Sequence, residues 1–473
     1  MMFTTHRRPA LAAAAVSCVA LAMAGCSSKS ASPSASAGAS STGATSASPT
    51  GTSSSSGATG AADCSTFSKW TGHQGTTVTA YSTITDTEAE NLNKSFDAFT
   101  KCTGITVKYT GSQEFETQIK VLVDGGNPPD LALFPQPGLM AQYKAKLVAA
   151  SAAVNTLVKE GWGDSTVGFG SIGGTLYATP YDSNVKSLVW YSPKFFKDNN
   201  YTIPTTWDEM ITLTDKIAAD HTDFKPWCAG VGSDAATGWP ATDWLEDVML
   251  RTQPISVYND WIAHKIPFND PKVAAALDKV GGILKNDKYV NGDLGGVDSI
   301  ATTAFKDAGL GVAKNPPTCA LHRQASFYAA NFPKGTKVGP DGDVFAFYLP
   351  PIDPAQGKPV LGGGTFVAAF SDKPEVQAVR EFMATADYAT NRVKLGGGFV
   401  SGRKGVPLDA FTTDVDKLSA QILQDPNSKF GFDASDLMPG VVGAGTEWKQ
   451  LTSWLTGKST KDALAAIEAS WPK

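Results

Sequence analysis

Between residues 76 and 134 the chain alternates between short apolar strands and amphipathic helices, and this alternation constrains the fold more than any other feature. The strand patterns lie at residues 76–81, 105–109 and 131–134. Two apolar stripes at helical spacing, at 92–99 and 115–122, lie between them, and Thr85 and Glu88 have the spacing of a capping box before the first stripe. This order predicts a βαβαβ unit and therefore an α/β fold with a parallel, doubly wound sheet.

The predicted sheet also predicts a site, because ligands of open α/β sheets bind beyond the carboxyl ends of the strands. The side chains that follow the three strands are hydroxyls, amides, one carboxylate and one aromatic ring: Tyr81, Ser82, Gln113, Glu114 and Gln136. We expect all five to contact a solute. An alternative for Gln113 and Glu114 is that they only cap the helix that begins near Phe115. No glycine-rich phosphate loop follows the first strand, which argues against a dinucleotide.

The N-terminal sixty residues predict export. A basic start at residues 6–8 is followed by an apolar stretch at 10–24 and by Met23-Ala24-Gly25-Cys26. This is the pattern of a signal peptide over residues 1–25, and its end resembles a bacterial lipobox with Cys26 as the lipidated residue. The alternative is an ordinary secretory signal in which Cys26 lies by chance. Residues 26–63 are rich in Ser, Ala and Gly, which predicts a flexible tether.

Composition excludes several classes of function. The formal net charge is −5 and the basic residues are scattered, so we do not expect a nucleic-acid partner. The sequence has neither a CxxC motif nor a His/Cys cluster, so we expect no metal site, and we predict no cofactor. Four cysteines remain in the body of the chain, an even number that suits disulfides in an oxidising compartment and allows three pairings.

Several segments appear in a recognisable order: DGGNPPDLALFPQPGLM, GGTLYATPYDSNVKSLVWYSP, PTTWDEM, ATGWPATDWLED, CALHRQASF and GGGTFVAAF. Together they resemble the extracellular solute-binding proteins of ABC importers, in the sugar-binding group that includes maltose-binding protein. GNPPDLALFPQPG and LHRQASF look closest to the α-glucoside-binding branch. The resemblance covers nearly all of residues 75–473.

The resemblance implies a type II periplasmic-binding-protein fold, with two discontinuous α/β lobes, a hinge and a ligand cleft between the lobes. The first lobe would comprise residues 64–182 and 358–400, and the second residues 183–357 and 401–473. Within this arrangement we expect the disulfides Cys64–Cys102 and Cys228–Cys319, because each pair then lies within one lobe.

The resemblance also implies further cleft residues. A sugar offers apolar faces to aromatic rings and a rim of hydroxyls to planar donors and acceptors. We expect these contacts from Asp182, Asn184, Trp239, Asp243, Arg323, Gln324, Gly363, Gly364 and Arg403. Two alternatives stay open: the segment around Asp182 is an ordinary turn, and Arg323 forms an ion pair between the lobes.

The predicted function is that of a monomeric, lipid-anchored receptor on the outer face of the cytoplasmic membrane. It would capture a sugar, an α-linked oligosaccharide by the resemblance, and deliver it to the permease subunits of an ABC importer. The alternatives are a secreted glycan-active enzyme, since paired carboxylates cannot be recognised by sequence alone, and a binder of another solute. A polyamine would require several cleft carboxylates, and the mixed amides, hydroxyls and aromatics favour a neutral sugar instead.

Overall fold

A computed structural model describes residues 64–473. The predicted signal peptide, the lipidated Cys26 and the tether at 26–63 lie outside the described residues. Within residues 64–473, no helix combines the length and the apolar character that crossing a membrane requires.

The strands of the described residues form three sheets and one hairpin. They are β1 Thr77–Ser82, β2 Thr106–Gly111, β3 Leu131–Phe134, β4 Ser171–Ile172, β5 Thr175–Leu176, β6 Ala178–Pro180, β7 Asn184–Val185, β8 Leu188–Tyr191, β9 Leu321–Arg323, β10 Phe345–Tyr348, β11 Lys358–Gly363, β12 Phe366–Ala369 and β13 Ser428–Phe432. The sheets have the orders β2-β1-β3-β12-β6, β10-β8-β9 and β13-β11-β7, and β4 pairs with β5.

The first sheet confirms the predicted βαβαβ unit. Strand β1 pairs in parallel with β2 on one side and with β3 on the other, while β12 returns antiparallel to β3 and β6. Parallel strands that lie side by side need long crossovers, which the helices between them supply. The carboxyl ends of β1, β2 and β3 therefore meet at one edge of the sheet.

The helices cover the sheets and build most of the remaining chain. They are α1 Asp86–Lys94, α2 Asp97–Thr103, α3 Phe115–Asp124, α4 Pro137–Ala141, α5 Ala152–Gly161, α6 Asp164–Phe169, α7 Pro193–Asp198, α8 Trp207–Asp220, α9 Trp239–Thr252, α10 Ile255–Ile262, α11 Pro271–Leu284, α12 Phe305–Ala308, α13 Pro374–Met383, α14 Ala386–Val393, α15 Asp414–Gln424, α16 Ala434–Leu437, α17 Trp448–Leu455 and α18 Thr460–Glu468. A π-helical turn at Val442–Glu447 leads directly into α17.

The capping box expected before the first helix is wrong. Thr85 occupies the N-cap position of α1, but its hydroxyl accepts no hydrogen bond from a backbone N–H of the helix and instead donates to the Asp86 carboxylate, and Glu88 does not bond back to the Thr85 backbone. The helix is also broken at Phe96 into α1 and α2. A true capping box does occur at α8, where the Thr206 hydroxyl accepts from the backbone N–H of Glu209 and the Glu209 carboxylate accepts from that of Thr206.

Strands β11 and β12 follow one another in the chain but belong to different sheets. Strand β11 pairs with β7 and β13, whereas β12 pairs with β3 and β6. The chain therefore crosses between the sheets at Gly364 and Thr365, six residues after the crossing expected at residue 358.

Separate apolar cores pack on these sheets. The core that contains Phe99, Val367 and Phe382 packs on the first sheet, and the largest core joins α8, α9, α11 and α17 around residues such as Trp227 and Trp454. Both expected disulfides are confirmed: Cys64 is bonded to Cys102, and Cys228 to Cys319.

Candidate functional site

A cavity of about 170 Å³ opens at the carboxyl ends of β1, β2 and β3. One wall, which we call the strand-end wall, is built from residues that follow these strands: 83–88, 113–116 and 135–136. The opposite side comes from the starts of α9, α12 and α17 and from the residues after β13. The lining residues on the two sides combine hydroxyls, amides, carboxylates and aromatic rings, which is the mixture that a small polar solute requires.

Four aromatic rings line the cavity: Trp239, Phe305, Phe327 and Trp448. The Trp239 ring lies 5.0 Å from Phe305, edge to face, and 6.1 Å from Phe327. Trp239 is the first residue of α9, and the preceding Gly238 has a φ of 114°. A side chain at Gly238 would collide with the carbonyl of Trp448 at 2.1 Å, so this glycine lets the two tryptophan segments approach each other.

Several polar atoms of the lining are buried without any hydrogen-bond partner. They are Trp448 Nε1, Gln136 Oε1, Glu116 Oε2 and Asn184 Oδ1. Trp448 is 2% exposed and Gln136 is 5% exposed. A buried polar atom without a partner costs about 1–3 kcal/mol, and native structures contain few of them. Four in one cavity indicate positions where a solute supplies the missing donors and acceptors.

Carboxylates dominate the charge of the cavity. Burial and the nearby Asp182 raise the pKa of Glu88 to about 7, against the opposing charge of Arg392. Burial also raises the pKa of Glu116 to about 7, although Gln136 donates a hydrogen bond of 3.0 Å to its Oε1. Burial raises the pKa of Asp182 to about 6, against a 2.6 Å hydrogen bond from the backbone N–H of Thr365.

Behind the aromatic rings lies a chain of buried ion pairs, which we call the ion-pair wall: Lys186, Asp243, Asp247, Arg251, Arg323 and Asp433. Lys186 contacts Asp433 and, at 2.9 Å, Asp243. Arg323 bridges Asp243, at 3.1 Å, and Asp247. Burial opposes the ionisation of Asp247, but Arg251 and Arg323 together lower its pKa. These charges satisfy one another and connect β7, α9, β9 and the end of β13.

Two polar contacts join the sides of the cavity near its rim. The Ser233 hydroxyl donates a 2.9 Å hydrogen bond to Gln113 Oε1, and Lys306 lies 3.8 Å from Asp86. The amide of Gln113 is thereby engaged with protein atoms. Both contacts join the strand-end wall to residues, Ser233 and Lys306, that belong to the lobe expected to comprise residues 183–357 and 401–473.

Of the fourteen predicted cleft residues, the structure brings six together in the lining. They are Gln113, Gln136, Asp182, Asn184, Trp239 and Gly364. At Gly364 the space is closed by the carbonyl of Asp182, which a side chain would meet at 2.6 Å. The turn that was the alternative for this segment does not form, because Ser183 bridges Val400 and Asn184 begins β7, and the segment lines the cavity in an extended form.

The other eight lie elsewhere. Tyr81 packs on Phe115 in the core, and the Ser82 hydroxyl donates to the carbonyl of Leu133. Glu114 occupies the N-cap position of α3 without a capping hydrogen bond, and it does not line the cavity. Gly363 pairs with Asn184 in the sheet.

The remaining four of these eight belong to the protein's own scaffold. Asp243 and Arg323 are members of the ion-pair wall and are at most 3% exposed. Gln324 Oε1 accepts from the backbone N–H of Ala325. Arg403 donates to the carbonyl of Ala384 at 3.0 Å.

Sequence reasoning missed several residues of the lining. Glu88 and Glu116 lie in the first turns of α1 and α3, just beyond the loops that the strand-end rule points to. The sequence pattern predicts Glu88 only as part of a capping box and does not single out Glu116. Trp448, Asp433 and Asp436 come from the distant C-terminal part of the chain. No local pattern indicates that they meet the first sheet.

Comparison with known proteins agrees with this architecture. The alpha-glucosides-binding periplasmic protein AglE of Rhizobium meliloti is 41% identical over 396 residues, which cover 81% of this chain and 84% of AglE. The osmoprotective compounds-binding protein GgtB of Synechocystis sp. is 38% identical over 399 residues, covering 84% of this chain and 92% of GgtB.

A solved structure shares the fold at low identity. The bacterial solute receptor AcbH, described as preferring β-D-galactopyranose exclusively, superposes with a TM-score of 0.70 at 18% identity, covering 83% of this chain and 97% of its own. This likeness confirms the expected two-lobed type II fold. The sequence model of the family described as "bacterial extracellular solute-binding protein" matches residues 85–390 of this chain. The chain therefore belongs to the bacterial extracellular solute-binding protein family.

Proposed function

We propose that this protein is a receptor that captures an α-linked glucoside in the cavity and delivers it to an ABC importer. One observation carries the proposal: buried donors and acceptors without partners lie beside aromatic rings in one cavity. A sugar meets both demands, because its C–H faces stack on rings and its hydroxyls both donate and accept. The relationship to AglE at 41% identity supports the glucoside class.

The proposed mechanism is closure of two lobes over the sugar. With the crossing at Gly364 and Thr365, the first lobe comprises residues 64–182 and 365–400, and the second residues 183–364 and 401–473. Sugar contacts from both lobes stabilise the closed form, and the rim contact between Gln113 and Ser233 forms with it. The closed monomer is the form that the permease subunits accept.

The test is a thermal-shift screen of the purified protein over mono- and oligosaccharides. A bound ligand raises the free energy of unfolding by RT ln(1 + [L]/Kd). We expect α-linked disaccharides to give the largest shifts. Shifts from polyamines or sugar phosphates with none from glucosides would overturn the proposed solute class.

A glycan-active enzyme is the competing function, since Glu88, Glu116 and Asp182 put carboxylates into the cavity. The relatives are binding proteins, and we propose binding without turnover. Incubation with the glucosides that bind, followed by product analysis, distinguishes the two: products formed at enzyme-like rates would contradict a pure receptor.

We also propose that the receptor is held at the outer face of the cytoplasmic membrane by a lipid on Cys26. The Met23-Ala24-Gly25-Cys26 sequence supports this anchor. The intact mass of the mature N-terminal peptide tests it, because cleavage before Cys26 with added diacylglyceryl mass is expected. An unmodified Cys26, or cleavage elsewhere, would contradict it.

A further inference from the structure

The lining of the cavity is strongly unbalanced in charge. Among the described lining residues, six are carboxylic acids and a single one is basic: Asp86, Glu88, Glu116, Asp182, Asp433 and Asp436 against Lys186. Lys186 is already neutralised, because it contacts both Asp433 and Asp243.

Glu116 is the acid with the least compensation. Within residues 64–473 no salt bridge reaches its carboxylate and its Oε2 has no hydrogen-bond partner, while Gln136 donates to its Oε1 and the backbone N–H of Glu116 itself also lowers its pKa. Its charged neighbours, Glu114 and Asp436, are themselves acids. Glu88, in contrast, has the field of Arg392, and Asp182 has two hydrogen bonds from Thr365. A cation would therefore gain most beside Glu116.

Two further observations point to a ligand-binding position in this part of the cavity. Gln136, which holds Glu116 in place, is 5% exposed and leaves its own Oε1 unpaired. Trp448, 2% exposed, leaves its indole N–H unpaired in the same cavity. Acceptors outnumber donors among these free atoms, so the matching solute is rich in N–H or O–H donors and carries no negative charge.

We infer that the cavity prefers glycosides that bear a protonated amino group, and that the ammonium group binds beside Glu116 Oε2. The inference rests on the proposed function and narrows its substrate class from neutral glucosides to basic ones. An ammonium group donates to a carboxylate more strongly than a hydroxyl does and also offsets charge. Anionic glycosides, such as phosphates and uronates, are excluded by repulsion from the same acids.

The experiment is calorimetric titration of the full mature protein at pH 7.5 with two series of probes. Each series consists of a neutral disaccharide, maltose or α,α-trehalose, with its 2-amino-2-deoxy, 6-amino-6-deoxy and 6-phosphate derivatives. We expect at least one amino derivative to bind about tenfold more tightly than its neutral parent, and the phosphates not to bind.

Two variants test whether the preference for amino derivatives depends on Glu116. Glu116→Gln keeps the shape of the side chain and is expected to remove most of the tenfold preference. Glu90→Gln makes the same chemical change on an exposed position of α1, and is expected to keep the preference. If Glu116→Gln keeps it too, the assignment to Glu116 is overturned.

The outcomes separate this inference from the proposed function. Neutral parents that bind as tightly as all amino derivatives overturn the inference and leave the glucoside receptor standing. Binding of amino derivatives alone supports the inference and replaces neutral glucosides as the solute class. Binding of neither overturns both.

Discussion

The strand-end wall and the ion-pair wall use the same residue type in opposite ways. In the ion-pair wall each carboxylate is matched: Asp247 pairs with Arg251 and Arg323, and Asp433 with Lys186. In the strand-end wall Glu88 and Glu116 have no ion-pair partner, and their pKa values are raised to about 7. Matched buried charges hold a scaffold together, whereas unmatched ones leave bonding capacity for a solute. Burial alone therefore does not show whether a carboxylate in this cavity belongs to the scaffold or binds a solute. The presence or absence of an ion-pair partner distinguishes the two roles.

The largest expected effect comes from breaking the ion-pair wall. Arg323→Ala leaves Asp243 and Asp247 short of a buried partner, which is expected to lower the free energy of unfolding by about 3–5 kcal/mol. Urea denaturation measures it. Lys194→Ala, which removes an exposed ion pair with Asp198, is the control and should change stability by less than about 1 kcal/mol. Equal small effects in both variants would contradict a scaffold role for the wall.

The next largest effect is expected on glucoside affinity, when an aromatic ring of the cavity is removed. Trp239→Ala removes an aromatic plate of the cavity and is expected to weaken glucoside binding by about 30-fold or more. Trp471→Ala, which removes a ring stacked on His264 outside the cavity lining, is expected to leave the affinity unchanged. Equal affinities of the Trp239 variant and the native protein would show that the Trp239 ring does not contribute to glucoside binding.

The pH dependence of stability should report the unmatched acids. Glu88 and Glu116 release their protons near pH 7 in the folded protein, but near the usual glutamate pKa of 4.5 when unfolded. Between these values the folded state holds more protons, so the free energy of unfolding of the ligand-free protein decreases as pH rises from about 4.5 to 7. The titratable and charged groups that face Glu88 are Asp182, Arg392, Tyr109 and Tyr181, and those that face Glu116 are Glu114 and Asp436.

Glu116→Gln removes one of these titrations and is expected to flatten that decrease, while Glu90→Gln should leave it unchanged. Chemical denaturation at several pH values measures the slope. A slope that is identical in native protein and Glu116→Gln would show that Glu116 titrates normally.

The smallest expected effect concerns the rim. Ser233→Ala removes the hydrogen bond that Ser233 donates to Gln113 and is expected to weaken glucoside binding by less than about tenfold, since a neutral hydrogen bond contributes about 0.5–1.5 kcal/mol. Calorimetric titration measures it. Tighter binding in Ser233→Ala would mean that this contact opposes closure.

More of the fold than of the cavity lining could be predicted from the sequence. Residues 76–134 give βαβαβ by periodicity alone, and both disulfides follow from the expected lobes. The strand-end rule found Gln113 and Gln136, but it also indicated Tyr81 and Ser82. Tyr81 and Ser82 point to opposite faces of β1, and both side chains are covered, since Tyr81 packs on Phe115 and Ser82 donates to the carbonyl of Leu133. The sequence alone does not show that both faces are covered at this strand end.

Two further predicted residues, Asp243 and Arg323, lie outside the cavity lining for a physical reason. Asp243 and Arg323 have the chemistry of sugar contacts, yet each satisfies the other across a long separation in the chain. Pairing of this kind depends on tertiary distance, which no local pattern reveals. Trp448 reaches the cavity for the same reason, from a helix more than 300 residues after β3.

The most direct test of the account is the effect of Glu116→Gln on both ligand affinity and ligand-free stability at pH 7.5. The account predicts weaker binding of the glucoside that gives the largest thermal shift, together with an unfolding midpoint that is unchanged or higher, because an unmatched buried charge is removed. Unchanged affinity with a lowered midpoint would contradict it. Glu116 would then belong to the scaffold, as the acids of the ion-pair wall do.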